Sequence, residues 1–146
     1  MAATFTPASV SAARPLTARE RTRATWRNLA LWTLQGWLAM FFIAAGYGKL
    51  TEPMGNLIAL MGWPALASEN FVRGLGLVEL VLALGVLAPL VSWRIGRPVL
   101  IVSAGGLLAL ETVMLGVHLL GADWGLAVVN VLLLAITAPV AWLRRA

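Results

Sequence analysis

The sequence has no cysteine and a single histidine, and only 12% of its 146 residues are charged, against about 25% in soluble domains. Without a thiol there can be no disulfide exchange, no thiolate nucleophile and no zinc thiolate site. One histidine excludes a histidine-rich metal centre or a bis-histidine haem within the chain, and no metal site is expected. The shortage of charge, set beside 60% hydrophobic residues, excludes an ordinary soluble domain and places the chain in a membrane. The net charge of +5 does not point to nucleic acid, because the basic residues gather in the N-terminal tail, in the link Ser92 to Pro98, and at Arg144 and Arg145. Those are flanks and loops, where positive charge sets membrane orientation, and no nucleic-acid partner is expected.

What the chain does have is long apolar runs. A helix crossing a bilayer needs about 20 apolar residues at ~1.5 Å each. Four runs meet that length, at about 29–50, 71–91, 98–120 and 124–143. The expected fold is an all-α membrane protein, a four-transmembrane-helix bundle forming one domain over 29–143, with a basic end at 144–146. Residues 1–28 carry Glu20 as their only acid and no apolar run, so they read as a disordered basic tail, with an organelle transit peptide as the alternative. Arg14, Arg19, Arg21, Arg23 and Arg27 would anchor the first span.

The first span outlasts a signal-peptide core of about 7 to 15 residues, so an uncleaved helix is expected. Near its end Ala44 and Gly48 fall four apart, a spacing that lets another backbone come close. Pro53 ends that helix. The stretch from Thr51 to Asn70 reads as a loop in the interface, with Trp63 at headgroup level. Ser68 is a candidate N-cap for the second span, Pro98 suits the first turn of the third, Asp123 can cap the fourth, and Pro139 can kink its last turn. The arginine-rich tail, second link and C-terminus fall on one side of an even number of spans. Both termini are therefore expected in the cytoplasm, in the inner (plasma) membrane of a bacterium rather than an organelle.

Polar residues inside apolar spans are the candidates for function. A carboxylate at mid-membrane costs about 2.5 to 3.5 kcal/mol on insertion scales, so a chain that keeps one turns it toward a partner or a wet cavity. Glu79 shares a helical face with Gly76 and Ala83, which points it into the bundle. Glu111 and His118 share a face with Leu115, and Asn130 brings a third span to the same half of the membrane. Lys49, Arg73 and His118 could partner the acids. Because helical side chains lean toward their own N-terminus, Glu79 leans to Lys49 whereas Glu111 leans away, and Lys49 with Glu79 is the expected pair. Tyr47 and Trp124 are candidate ligand-lining residues.

Each has a plainer reading. Arg73 could make a rim salt bridge to Glu69 four residues earlier, and Lys49 could snorkel to headgroups. His118 could be an interfacial histidine and Asn130 interhelical glue worth about 0.6 kcal/mol. The two glutamates could be protonated packing devices. The tryptophans are interfacial anchors by default.

Gly46-Tyr47-Gly48-Lys49-Leu50 closing the first span, Gly74-Leu75-Gly76-Leu77-Val78-Glu79-Leu80 opening the second with Ala83, Gly85 and Pro89 after it, and a third span ending in His118 resemble the DoxX and DoxX-like integral membrane proteins. The resemblance covers about Leu31 to Leu143 and implies a four-helix bundle in which Lys49 and Glu79 carry most weight and His118 less. It also implies membrane oxidoreductase assemblies, among them the small subunit of thiosulfate:quinone oxidoreductase; a distant animal branch resembles receptor-assembly chaperones. The missing cysteines depart from relatives that carry cysteine pairs.

The expected function is an accessory, non-catalytic subunit of a membrane assembly, with no intrinsic cofactor, in contact with lipid and either other subunits or a second copy of itself. The alternative is a quinone or small apolar ligand held between the helices, with a carboxylate exchanging a proton at the ring oxygen and Lys49 or His118 hydrogen-bonded to it. A proton-coupled carrier fits less well, since four helices leave little room for alternating access.

Overall fold

The computed structural model describes residues 16–145. The chain folds as helix α1 (Ala18–Thr51), a short helix α2 (Met54–Met61), a 3₁₀ turn at Trp63–Leu66, α3 (Glu69–Val86), a second 3₁₀ turn at Ala88–Leu90, α4 (Trp93–Leu120) and α5 (Trp124–Leu143). Four of these, with α3 counted through its 3₁₀ turn to Leu90, are long and apolar enough to cross a membrane. No strand occurs among the described residues.

Residues 1–15 of the expected tail, Arg14 among them, lie outside the described residues. The rest of that segment is helical, which corrects the reading of disorder up to Asn28. Thr17 accepts a bond from the Glu20 backbone N–H while the Glu20 side chain accepts from the Thr17 N–H, a capping box that starts α1 well before the apolar run. A helix of 34 residues is about 51 Å long, some 20 Å more than the hydrocarbon core, so its first three turns project beyond the spanning part. The missing apolar run shows only that these turns do not cross the membrane.

The spans form a closed ring in which α1 packs on α3, α3 on α4, α4 on α5 and α5 on α1. Neighbours are antiparallel: Gly46 meets Gly76 while Gln35 meets Val86, and Glu111 meets Thr137 while His118 approaches Asp123. The buried positions step by three and four, as in Leu31, Gln35, Leu38, Phe42, Gly46 and Lys49 on α1 or Val72, Gly76, Glu79, Ala83 and Val86 on α3. That is the seam of coiled-coil-like packing, and it carries the polar residues inward. The expected close approach at Ala44 and Gly48 falls elsewhere. Gly48 has open space around it, whereas a methyl group on Gly46 would lie 2.6 Å from the Gly76 carbonyl oxygen and one on Gly76 would lie 2.7 Å from Lys49 Cβ. Gly46 occupies the seam, one residue from the lipid-facing side where Tyr47 points.

At the end carrying Glu52, Glu69 and Asp123, here the acidic end, the connection from Thr51 to Asn70 is more than an interfacial loop. Pro53 precedes α2, Leu57 is buried, and Gly62 at φ +70° turns the chain so that Trp63 packs with Leu57 and Val72. Trp63 is 8% exposed and roofs the bundle, so it packs against protein rather than standing free as an interfacial anchor. Ser68 caps α3 as expected, accepting from the Phe71 N–H at 3.3 Å. Asp123 makes no capping bond; its carboxylate turns toward His118 instead. At the opposite, basic end, α4 begins at Trp93, so Pro98 is its sixth residue rather than part of its first turn. Arg94 and Pro98 are both exposed, so solvent can take the Arg94 carbonyl that a proline cannot serve.

Candidate binding site inside the bundle

Lys49 stands in the last turn of α1 and Glu79 in the middle of α3, and the Gly46–Gly76 contact beside them removes the side chains that would hold the two helices apart. Each side chain leans toward its own helix N-terminus, so on antiparallel helices they lean toward one another. Lys49 Nζ donates to Glu79 Oε2 at 2.7 Å and Oε1 at 2.9 Å, with both side chains almost wholly buried. This is the pair expected from sequence. Lys49 has three N–H donors and Glu79 takes two, which leaves one for something else.

Above the pair Arg73 does not join the cavity. Its Nη1 donates to the Lys49 carbonyl oxygen at 2.5 Å, and its Nε and Nη2 donate to Glu69. Arg73 thereby serves one of the orphan carbonyls at the end of α1 and braces the backbone that carries Lys49. The rim salt bridge to Glu69 is present, and a direct bond to Glu79 is not among its contacts.

A cavity of about 110 Å³ lies between the helices beneath the Trp63 roof, and Lys49, Glu79, Glu111, His118 and Asn130 all reach it. Phe41, Phe42, Met61, Met114 and Leu133 supply apolar wall. Glu111 is 1% exposed; Thr137 Oγ1 lies 2.8 Å from its Oε1 and also 2.8 Å from the Leu133 carbonyl oxygen. A hydroxyl has one hydrogen to donate. Thr137 shares that hydrogen between the two oxygens, unless Glu111 carries a proton of its own and donates it to Thr137. Among the described residues Glu111 Oε2 has no hydrogen-bond partner, nor has His118 Nδ1, which is 3.7 Å from Asp123 Oδ2. Asn130 gives its Nδ2–H to the Leu126 carbonyl at 2.9 Å. The cavity therefore presents a spare ammonium hydrogen, a carboxyl oxygen and an imidazole nitrogen in an apolar wall, the pattern of a small-molecule site.

Of the residues singled out from sequence, five meet at this cavity and three do not. Tyr47 and Trp124 are 63% and 68% exposed and face outward, so they do not line it. Tyr47 lies two residues before Lys49, about 200° around the helix, and cannot share its face. Met61 and Trp63 take the lining role, brought there by the folding back of α2.

A second buried polar cluster, at the basic end, was missed. Gln35 Nε2 donates to the Val86 carbonyl at 3.2 Å, an oxygen left free where α3 ends in its 3₁₀ turn. Arg144 Nε donates to Gln35 Oε1 at 2.7 Å and Nη1 to Asn28 Oδ1 at 2.8 Å, while Trp32 and Trp93 pack on the guanidinium at 5.1 and 5.2 Å. Burial presses the Arg144 pKa below its ordinary value. Gln35, a polar residue inside the first apolar run, was the available signal.

The fold and this site define a multi-pass helical membrane protein with a charged cavity inside its bundle. The chain belongs to the DoxX-like family, whose model matches residues 33–140, from the middle of α1 to the last turn of α5. No curated protein and no solved structure matches it.

Proposed function

We propose that the protein is a membrane subunit that holds a quinone ring, or a small apolar molecule of like chemistry, in the cavity beside Lys49 and Glu79. The observation that carries this reading is the convergence of unsatisfied hydrogen-bonding groups on an apolar space of about 110 Å³. That is on the scale of the roughly 150 Å³ cavity known to hold a benzene ring. Phe41 and Val129, 40% and 37% exposed, belong both to the cavity wall and to the outer surface between α1 and α5, a side on which an apolar tail could leave toward lipid. In this reading Lys49 donates its spare hydrogen to a ring oxygen, and Glu111 delivers or accepts a proton.

Reducing a quinone takes two electrons as well as two protons. A chain with no cysteine and one histidine has no ligand set for an iron–sulfur cluster or bis-histidine haem, so electrons come from a partner subunit. The protein would then work as the proton-handling, ring-binding part of an oxidoreductase assembly in a bacterial plasma membrane, its basic end in the cytoplasm. A specific observation favours a second reading, in which the chain is an accessory subunit and the ion pair only fixes helix register: Lys49 binds both Glu79 oxygens, and both groups are nearly dry. Titration of the purified protein with decylubiquinone separates the two. Ring binding predicts saturable one-to-one uptake weakened at least tenfold by Glu79→Gln; no saturable uptake, or uptake indifferent to that change, leaves the register reading.

A further inference from the structure

Among the described residues, the basic end holds a guanidinium with no counter-charge beside it. Arg144 is 6% exposed, and its guanidinium donates to the neutral oxygens of Gln35 and Asn28. Its Nη2 is buried with no partner among the described residues. The six acidic side chains of the sequence are engaged elsewhere: Glu20 caps α1, Glu52 bonds Asn56, Glu69 holds Arg73, Glu79 holds Lys49, Glu111 meets Thr137, and Asp123 faces His118. A buried cation without an anion is costly, and proteins rarely keep one without a use.

Beside Arg144 is a polar pocket of about 160 Å³ whose wall includes Arg27, Asn28, Trp93 and Leu143. Arg27 is exposed on the projecting part of α1, so a second guanidinium borders the same space from another helix. Arg97 stands close by, with Nε on the Arg144 carbonyl at 2.9 Å and Nη2 on that of Arg145, and fixes the end of α5 on α4. Two guanidinium groups on one small pocket match the oxygens of a tetrahedral anion, which arginine binds through paired N–H donors. Arg27 and Asn28 precede the apolar run of α1 and Arg144 follows that of α5, so the pocket lies just beyond the apolar part of the spans.

We propose that this pocket between the projecting turn of α1 and the end of α5 binds a phosphate group, with Arg144 and Arg27 as its ligands. The phosphate belongs either to a phospholipid headgroup or to free phosphate in solution. This site is independent of the cavity near Lys49 and of any ring bound there.

The test is the thermal unfolding midpoint of the full chain in a neutral detergent, titrated at constant ionic strength with dioctanoyl phosphatidylglycerol, with inorganic phosphate, and with chloride as the reference. A ligand that binds the folded state raises the midpoint in a saturable way. Saturation by the lipid supports a headgroup site, and saturation by inorganic phosphate supports a free-anion site. In either case Arg144→Gln and Arg27→Gln should each weaken the apparent affinity at least tenfold. Arg27 makes none of the buried bonds described, so its variant reports on the pocket even if Arg144→Gln does not fold. A midpoint that moves no more than in chloride, or a saturable rise that Arg27→Gln leaves unchanged, overturns the proposal.

Discussion

At the scale of single residues, Lys49 and Glu79 are each tolerable only because of the other. Their two contacts, at 2.7 and 2.9 Å, replace the water that either charge would need. Removing one partner from a buried pair typically costs about 3–5 kcal/mol, because a lone charge is left behind, whereas replacing both by apolar groups of similar size is often neutral. Lys49→Met should therefore lower stability by roughly that amount in reversible unfolding from mixed micelles. Adding Glu79→Leu to it should restore most of the loss. A single variant within about 1 kcal/mol of the parent would mean that the pair is not buried as described. This pair was legible in the sequence because a charge in an apolar run has few places to go, and the lean of helical side chains selects between the candidates. Glu111 was legible as a buried acid, but its partner was not: Thr137 looks like any threonine that bonds back to its own helix, as it also does.

At the scale of helices, the close crossing of α1 and α3 sets the height at which the pair meets. A side chain at Gly76 would collide with Lys49 Cβ and the Gly46 carbonyl, atoms that cannot swing away. Gly76→Val should thus cost at least the about 1–3 kcal/mol typical of overpacking and weaken any binding in the cavity. Gly48→Ala, with nothing within 4 Å, should be neutral or stabilise by up to about 1 kcal/mol in the same unfolding measurement. The four spans could be located from the sequence, but not which side of each faces inward on apolar residues alone. Lipid-facing positions such as Val81, Val102 and Leu132 are as apolar as the core. The buried polar residues mark the inner faces: Gln35 and Lys49, Glu79, Ser103 and Glu111, and Asn130 and Thr137 fall on the seams of α1, α3, α4 and α5 respectively. Helix α2 was hidden for a different reason. Eight residues are too few to span, and their fold-back depends on Gly62 at φ +70° and on the Trp63 contacts, which only the assembled bundle supplies.

At the scale of the whole molecule, the bundle is polar inside at two levels. The ion-pair cavity lies under the α2 roof, the Arg144 cluster lies at the basic end, and between them is an apolar layer of Leu38, Ala83, Val86, Leu100, Ala104 and Leu107. That layer separates the two polar regions, so a ligand of the proposed kind would reach the cavity from the acidic end or from lipid and not along the bundle axis. Ala45 lies on the cavity wall from α1 and is only partly buried, so a larger side chain there fills the space without breaking the Lys49–Glu79 pair. The most direct measurement is the fluorescence of Trp63 in a variant whose other six tryptophans are phenylalanine, titrated with decylubiquinone before and after Ala45→Phe. The cavity account predicts saturable quenching of Trp63 that Ala45→Phe abolishes while the unfolding midpoint stays within a few degrees. Quenching that survives the plug, or that never saturates, would contradict it.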